Sequence, residues 1–479
     1  MTSCASTESH STSSTNRLGD STLRVIRIHR QPGVSATSCL TCRYAAANAS
    51  SAPGVISNTA ISVTTARVNH GEISVVRTLF ANGQVFDGTG SPPAGADVVV
   101  EDGRIVDVGP GLDGDEAVDC AGTTVLPGLV DCHVHLLFSG VHPLKTLQTP
   151  FSYPYFEAVR NLRTTLDLGI TTVRDAGGSD LGVKEAVATG LIPGPRVLIA
   201  VSMLSQTGGH GDGWYPSGCT VPLLQPHPGR PNTVVDGPEE IRKTVRALVR
   251  AGADVIKVAT SGGVLSARDD PRHGHFRDDE VAMMVHEAEA AGISVMAHAQ
   301  GTEGIKTAVR NGVRSIEHGI YLDDEAIEMM LDWGTWLVPT LAAPRAVLEQ
   351  ADAGVPYPDA VLAKARMVLE IHTESVRRAI AAGVTVAMGT DSGVGPHGRN
   401  LSELQLLVDC GMTPEQALHS ATQSACELLD VAEDRGTIAP GQRADIVVVD
   451  GDARELDTLP TRIRAVYQDG AQVSSVPHP

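Results

Sequence analysis

Two histidines close a short apolar run in Gly128-Leu-Val-Asp-Cys-His-Val-His-Leu, so His133 and His135 stand two residues apart. On an extended strand, side chains at i and i+2 share a face, and two imidazoles on one face can aim at one metal ion. Four further short, mostly apolar runs carry a side chain of interest. They are Asp254-Val-Ile-Lys-Val-Ala-Thr with Lys257, Ser294-Val-Met-Ala-His-Ala with His298, Arg314-Ser-Ile-Glu-His-Gly with His318, and Val384-Thr-Val-Ala-Met-Gly-Thr-Asp-Ser-Gly with Asp391. Each follows a helical pattern that ends in Gly or in Gly plus one or two residues. Ligands at the ends of successive parallel strands converge at the mouth of one barrel.

Neutral imidazoles and one carboxylate hold a zinc-like ion and leave a position open for water. Lys257 changes that count, because an ammonium inside an apolar strand is costly without a partner and offers no lone pair to a metal. If its amine adds carbon dioxide, the resulting N6-carboxylysine is a carboxylate on a long arm that can bridge two cations roughly 3.5–4 Å apart. In this reading His133, His135 and Asp391 hold the more buried of two divalent ions, most simply zinc, and His298 and His318 the more exposed one. A water between two cations loses its proton at neutral pH, and Asp391 serves as general base, passing a proton to the leaving nitrogen. The competing reading of each residue alone is a buried or capping side chain, and of Lys257 a snorkelling lysine. Glu317, next to His318, is expected to point away from the metal face of His318 and to support the site or the fold rather than to catalyse.

Eight strand candidates, 125–135, 170–175, 196–203, 254–260, 294–299, 314–319, 336–341 and 384–391, alternate with amphipathic helical patterns. One of these, residues 238–252, has acidic residues first, basic residues later and Gly at the end, which suits the helix dipole and a glycine stop. Eight β/α units over residues 127–435 predict a (β/α)8 TIM barrel. Short strand patterns with Asn82-Gly83 and Asp102-Gly103 turn signals fill 71–126, and a similar set fills 436–479. Together they predict a small β-sandwich built from both ends. The Gly-, Pro- and His-rich stretch from Gly208 to Asn232 reads as an active-site loop, with His210 as a substrate contact and catalytic helper. Residues 1–70, rich in Ser, Thr, Ala and Asn, are expected to be a disordered tail.

The formal net charge of −19 repels nucleic acid and anionic membranes. A small amide or peptide substrate is the expected partner. No apolar run has the roughly 18 residues of a membrane span, and no charged head with an apolar core marks a secretory signal. The expected setting is the cytoplasm, with reduced cysteines; Cys39 and Cys42 form the one C-x-x-C, with no second pair near it.

The ordered motifs resemble the amidohydrolase superfamily: His133-Val-His, Lys257 ahead of Ser261-Gly-Gly-Val, Ala297-His-Ala, Ile316-Glu-His-Gly and Gly389-Thr-Asp-Ser-Gly. With Gly208-Gly-His-Gly-Asp and Gly395-Pro-His-Gly, the chain looks most like the prolidase-like and imidazolonepropionase-like dipeptidases and N-acyl amino acid hydrolases. The resemblance implies hydrolysis of a C–N amide bond with zinc in both positions, and a homo-oligomer. It also implies His397 as a substrate contact. Several peptidase relatives carry a tyrosine in the loop after the strand-four lysine; here Phe276 or Asp278 stands there, and Phe276 becomes a substrate-contact candidate. Relatives that act on toxin amides, phenylureas and thiocarbamates keep the leaving group open. A mononuclear deaminase or cyclic-amide hydrolase is the other enzymatic reading, with Glu303 as a stand-in for the deaminase glutamate. A metal-free scaffold is the non-enzymatic reading.

Overall fold

The computed structural model describes residues 76–140, 147–223, 225–266 and 269–475. The expected tail and the Cys39/Cys42 pair lie outside the described residues. Seven strands come first: β1 (Thr78–Ala81), β2 (Gln84–Val85), β3 (Ala94–Gly95), β4 (Asp97–Glu101), β5 (Arg104–Gly109), β6 (Glu116–Asp119) and β7 (Thr123–Pro127). The chain closes with β16 (Ile446–Asp450), β17 (Ile463–Gln468) and β18 (Ala471–Ser475). One sheet runs β5-β4-β1-β6, and the other, β18-β17-β16-β7-β2-β3, joins strands from both ends of the chain. Phe80, Val98, Ile105, Ile446, Val448 and Tyr467 form a common apolar core between them.

Two of the turns follow their sequence signals. Asp102-Gly103 joins β4 to β5 and Asp469-Gly470 joins β17 to β18, all four residues having positive φ, as the tightest hairpin turn demands. Asn82-Gly83 behaves differently. Asn82 is left-handed, but β1 and β2 belong to different sheets, so the pair carries the chain across the sandwich instead of closing a hairpin.

The run expected as one strand over 125–135 serves two sheets. Residues of β7 pair antiparallel with β16, and after Gly128 the chain continues as β8 (Leu129–Val134) in parallel with β9 (Ile170–Asp175). A Cβ on Gly128 would lie 2.2 Å from Thr171 Oγ1 and 2.9 Å from Asp445 Cβ. Only glycine lets the backbone pass between barrel and sandwich here.

The third strand is broken as well. β10 (Arg196–Ile199) pairs with β9, Val201 adopts φ 65, and β11 (Met203–Leu204) then pairs with β12 (Val255–Ala259). Parallel ladders continue through β13 (Ser294–Ala299), β14 (Ser315–His318) and β15 (Trp336–Val338). Pro339, which has no N–H to donate, ends β15 three residues earlier than expected. The eighth segment forms isolated bridges instead of a regular ladder. Leu337 N donates to Thr385 O at 2.9 Å on one side, and Cys132 N to Met388 O at 2.9 Å on the other, so the segment takes its place between the seventh and first strands.

Helices cover the strands from outside. The helix Pro238–Arg250 buries Ile241, Thr244, Val245 and Leu248, the i, i+3, i+4, i+7 stripe of an amphipathic helix, with Glu239 and Glu240 in its first turn and Arg250 in its last. This is the (β/α)8 barrel with a small β-sandwich that the alternation of patterns predicts. No helix among the described residues is long and apolar enough to cross a membrane.

Candidate functional site

At the end of β8, His133 and His135 face Asp391 of the eighth segment. His135 Nε2 lies 3.1 Å and His133 Nε2 3.5 Å from Asp391 Oδ1. The three offer ligand atoms that all lie within 4.8 Å of one another. Beneath them a buried aspartate ties the two strands together. Asp131 Oδ1 accepts from the backbone N–H of His133 and of Thr390, each at 3.1 Å, and its Oδ2 accepts from Thr390 Oγ1 at 2.7 Å and Asn400 Nδ2 at 2.8 Å. Burial pushes the Asp131 carboxyl up to about 6, against these hydrogen bonds.

The imidazoles are oriented from behind. His133 Nδ1 meets Glu317 Oε2 at 2.7 Å, His135 Nδ1 meets Gly177 O at 2.7 Å, and His318 Nδ1 meets Thr340 Oγ1 at 2.7 Å. Thr340 spends its own proton on Pro339 O, so it accepts from His318. In all three rings Nδ1 carries a proton; the Nε2 lone pair of His133 and of His318 is left for a ligand, while Nε2 of His135 faces Asp391 Oδ1. His298 is reversed: Nε2 donates to Gly262 O at 3.1 Å, leaving Nδ1. Burial holds His133, His298 and His318 well below the usual imidazole range, so they are neutral donors. Burial works against protonation of His135 too, but the hydrogen bond and charge of Asp391 outweigh it and hold His135 above its ordinary value. For Asp391, the penalty of burial is overcome by His133 and His135, and its carboxyl stays below the ordinary carboxylate range.

Lys257 is 2% exposed, and its Nζ lies 3.5 Å from His133 Nε2. Burial lowers this amine to about 8. A cation amid imidazole nitrogens is an expensive arrangement, and one that a neutral amine or a carbamate would relieve. The donor set therefore fits divalent metal ions: neutral nitrogens and a carboxylate with orienting partners behind them, and a lysine whose charge the site does not favour.

Glu317 has the supporting role expected of it, and the structure shows for which ligand: it points into the barrel with Ser315, taking Ser315 Oγ at 2.5 Å and Arg174 Nη2 at 2.9 Å on Oε1 while holding His133 from behind. Strand alternation does set Glu317 and His318 on opposite faces, but His318 has φ 75 at the end of β14, which turns its ring back toward the cavity. Thr340 and Asp391 share this left-handed backbone, with φ 54 and 57; such strain collects where surrounding structure dictates a functional geometry.

All six metal-ligand candidates, with His210, line one cavity of about 680 Å³. His210 stacks on His298 with ring centroids 4.2 Å apart and an interplanar angle of 16°. The loop from Thr207 to Leu223 forms part of the wall, with Trp214 and Tyr215, and Val264, Ile320 and Val347 supply further apolar surface. Phe276 and His397 do not line it. Phe276 is 3% exposed inside the main apolar core, and its N–H donates to Gln206 Oε1 at 2.6 Å. His397 Nε2 meets His135 O at 3.2 Å, a contact with the backbone behind the ligand rather than with the cavity. Glu303 is exposed in the first turn of the helix Thr302–Arg310. Sequence reasoning passed over Asp131, Arg174 and Thr340. Asp131 alone carried a signal, standing two residues before His133 on the same strand face.

A family model described as the Amidohydrolase family matches residues 124–474. The chain is 34% identical over 396 residues to the ochratoxinase of Aspergillus niger, covering 78% of this chain and 81% of that protein. It is 25% identical over 394 residues to the imidazolonepropionase of Geobacillus kaustophilus, covering 73% and 82%. Among solved structures, a Xaa-Pro dipeptidase with methionine in its active site superposes with a TM-score of 0.76 at 32% identity, over 83% of this chain and 100% of that one.

Proposed function

The chain belongs to the amidohydrolase family, and on that premise we propose that it is a binuclear metal-dependent hydrolase cleaving the C–N amide bond of a dipeptide of the Xaa-Pro kind or of an N-acylated amino acid. The observation that carries this reading is Lys257, buried among histidine nitrogens with its amine lowered to about 8. Its neutral nitrogen can bond to the carbon of carbon dioxide and release one proton. The carboxylate so formed would stand between an ion held by His133, His135 and Asp391 and a second held by His298 and His318. Bound divalent ions would supply Lewis acidity, lowering the pKa of water and polarising the scissile carbonyl.

The chain's own groups do the rest. Asp391 takes a proton on its carboxylate as water attacks and hands it to the leaving nitrogen, the work of a general base turned acid. His210 contacts the substrate from its place over His298. The apolar wall excludes water and receives the substrate's side chains.

The size of the cavity, about 680 Å³, and its Trp214, Leu223 and Val347 lining favour a second reading, a bulky apolar acyl group in place of a small residue. The mononuclear deaminase reading is weaker, because Glu303 is not a cavity residue.

The test is metal content per chain by elemental analysis, followed by hydrolysis of a panel of Xaa-Pro dipeptides and of aliphatic and aromatic N-acyl amino acids. About two ions and release of a free amino acid are expected. One ion, with turnover of cyclic amides alone, would replace this reading with the mononuclear one.

A further inference from the structure

We propose that Lys364 is a positioning residue: it clamps the loop after β12 to the helix Asp359–Ala382 and so holds His210 on His298 for substrate contact. This rests on the reading of His210 as a substrate contact. Lys364 Nζ donates to three carbonyl oxygens of that loop, Gly263 at 2.7 Å, Ser266 at 2.5 Å and Asp269 at 2.9 Å, and lies 3.4 Å from Asp269 Oδ1. An ammonium has three protons, and all three are committed to one loop.

The same loop grips His210. Ser266 Oγ lies 2.9 Å and Asp269 Oδ2 3.4 Å from His210 Nδ1. Asp269 also accepts the Gly263 N–H at 3.1 Å and the Ser266 hydroxyl proton, so its carboxylate joins the loop's two ends to the ring. Backbone and ring are in close contact: a Cβ on Gly263 would lie 2.2 Å from His210 Cε1. The loop cannot shift far without carrying the ring with it. Val264 packs with Val361, Ala365 and Val368 of the helix, but apolar contacts do not satisfy the loop's inward carbonyls. Without Lys364 those carbonyls need water or a new backbone path.

The experiment uses the metal-loaded full chain with Lys364→Met, which keeps the length of the arm and removes its charge and donors. In the crystal structure of the variant, His210 should leave its 4.2 Å stack on His298; an intact stack overturns the proposal. This readout needs no substrate, so it stands even if no amide in the panel is cleaved and the functional reading fails. On a cleaved substrate, Lys364→Met should lower kcat/KM about tenfold in the wild-type background and about twofold or less in a His210→Ala background, as for two residues acting through one contact. Equal losses in both backgrounds overturn the proposal, as does a His210→Ala variant with normal turnover. Metal content should not change in any of them. If Lys364→Met does not fold, Lys364→Gln replaces it, a shorter neutral arm that cannot reach all three carbonyls. The same non-additivity with His210→Ala is then expected, and additivity counts against the clamp.

Discussion

Glu317 Oε2 accepts the Nδ1 proton of His133 at 2.7 Å, although the two residues lie on strands that are not neighbours in the barrel. Arg174 and Ser315 hold the other carboxylate oxygen, so the imidazole is aimed from across the barrel interior. Glu317→Gln should weaken metal binding about tenfold to a hundredfold, the usual cost of losing a ligand's orienting partner. Competition with a chelator measures it. Unchanged affinity would mean that His133 is aimed by its strand alone.

Lys257→Ala should reduce bound metal from about two ions per chain to one or none, and short-chain carboxylic acids should restore part of it by standing in for the missing arm. Elemental analysis with and without added acetate or propionate decides. Two ions in the unsupplemented variant would remove the carbamate bridge from the reading.

Asp391→Asn should leave the thermal melt near that of the parent and cut kcat by a factor of about a hundred or more, the range for loss of a positioned general base. Turnover within about threefold of the parent would assign the proton transfer to another group.

Gly128→Ala should lower the melting temperature by several degrees. A methyl group there meets Thr171 and Asp445 at less than contact distance, and overpacking of this kind costs about 1–3 kcal/mol. Differential scanning calorimetry checks it; an unaltered melt would show that the crossing from β7 to β8 has slack.

Acid stability should depend on Asp434. Burial alone would raise its carboxyl, but Arg435 and Arg443, each with Nε 2.7 Å away, win and hold it at about 2. A folded value below the unfolded one near 3.8 means that the stabilisation is present above about pH 4 and fades as pH falls toward 2. Asp434→Asn should therefore cost at most about 2 kcal/mol at pH 7 and much less at pH 2–3. Denaturant melts at both values test the sign, and an equal deficit at each would refute it.

The barrel is legible in the residue pattern, because eight apolar runs separated by helix-period patterns leave few other ways to bury both kinds of element. The sequence also determined the identities at the strand ends, since His133 and His135 share a face by spacing alone and Lys257, His298, His318 and Asp391 recur at corresponding places. Tertiary structure decided what those residues face. Period two sends His318 away from the cavity, and a left-handed φ of 75 brings it back. The partners that hold the site in place, Glu317 for His133 and Lys364 for the His210 loop, are far along the chain from what they hold. Phe276 reads as a binding-loop residue from its position, yet it is folded into the core, because burial of a large aromatic ring outweighs a place in a loop. Local spacing carries strand and helix, but contacts across a barrel join residues a hundred or more positions apart, and only the packing of the units against one another selects them.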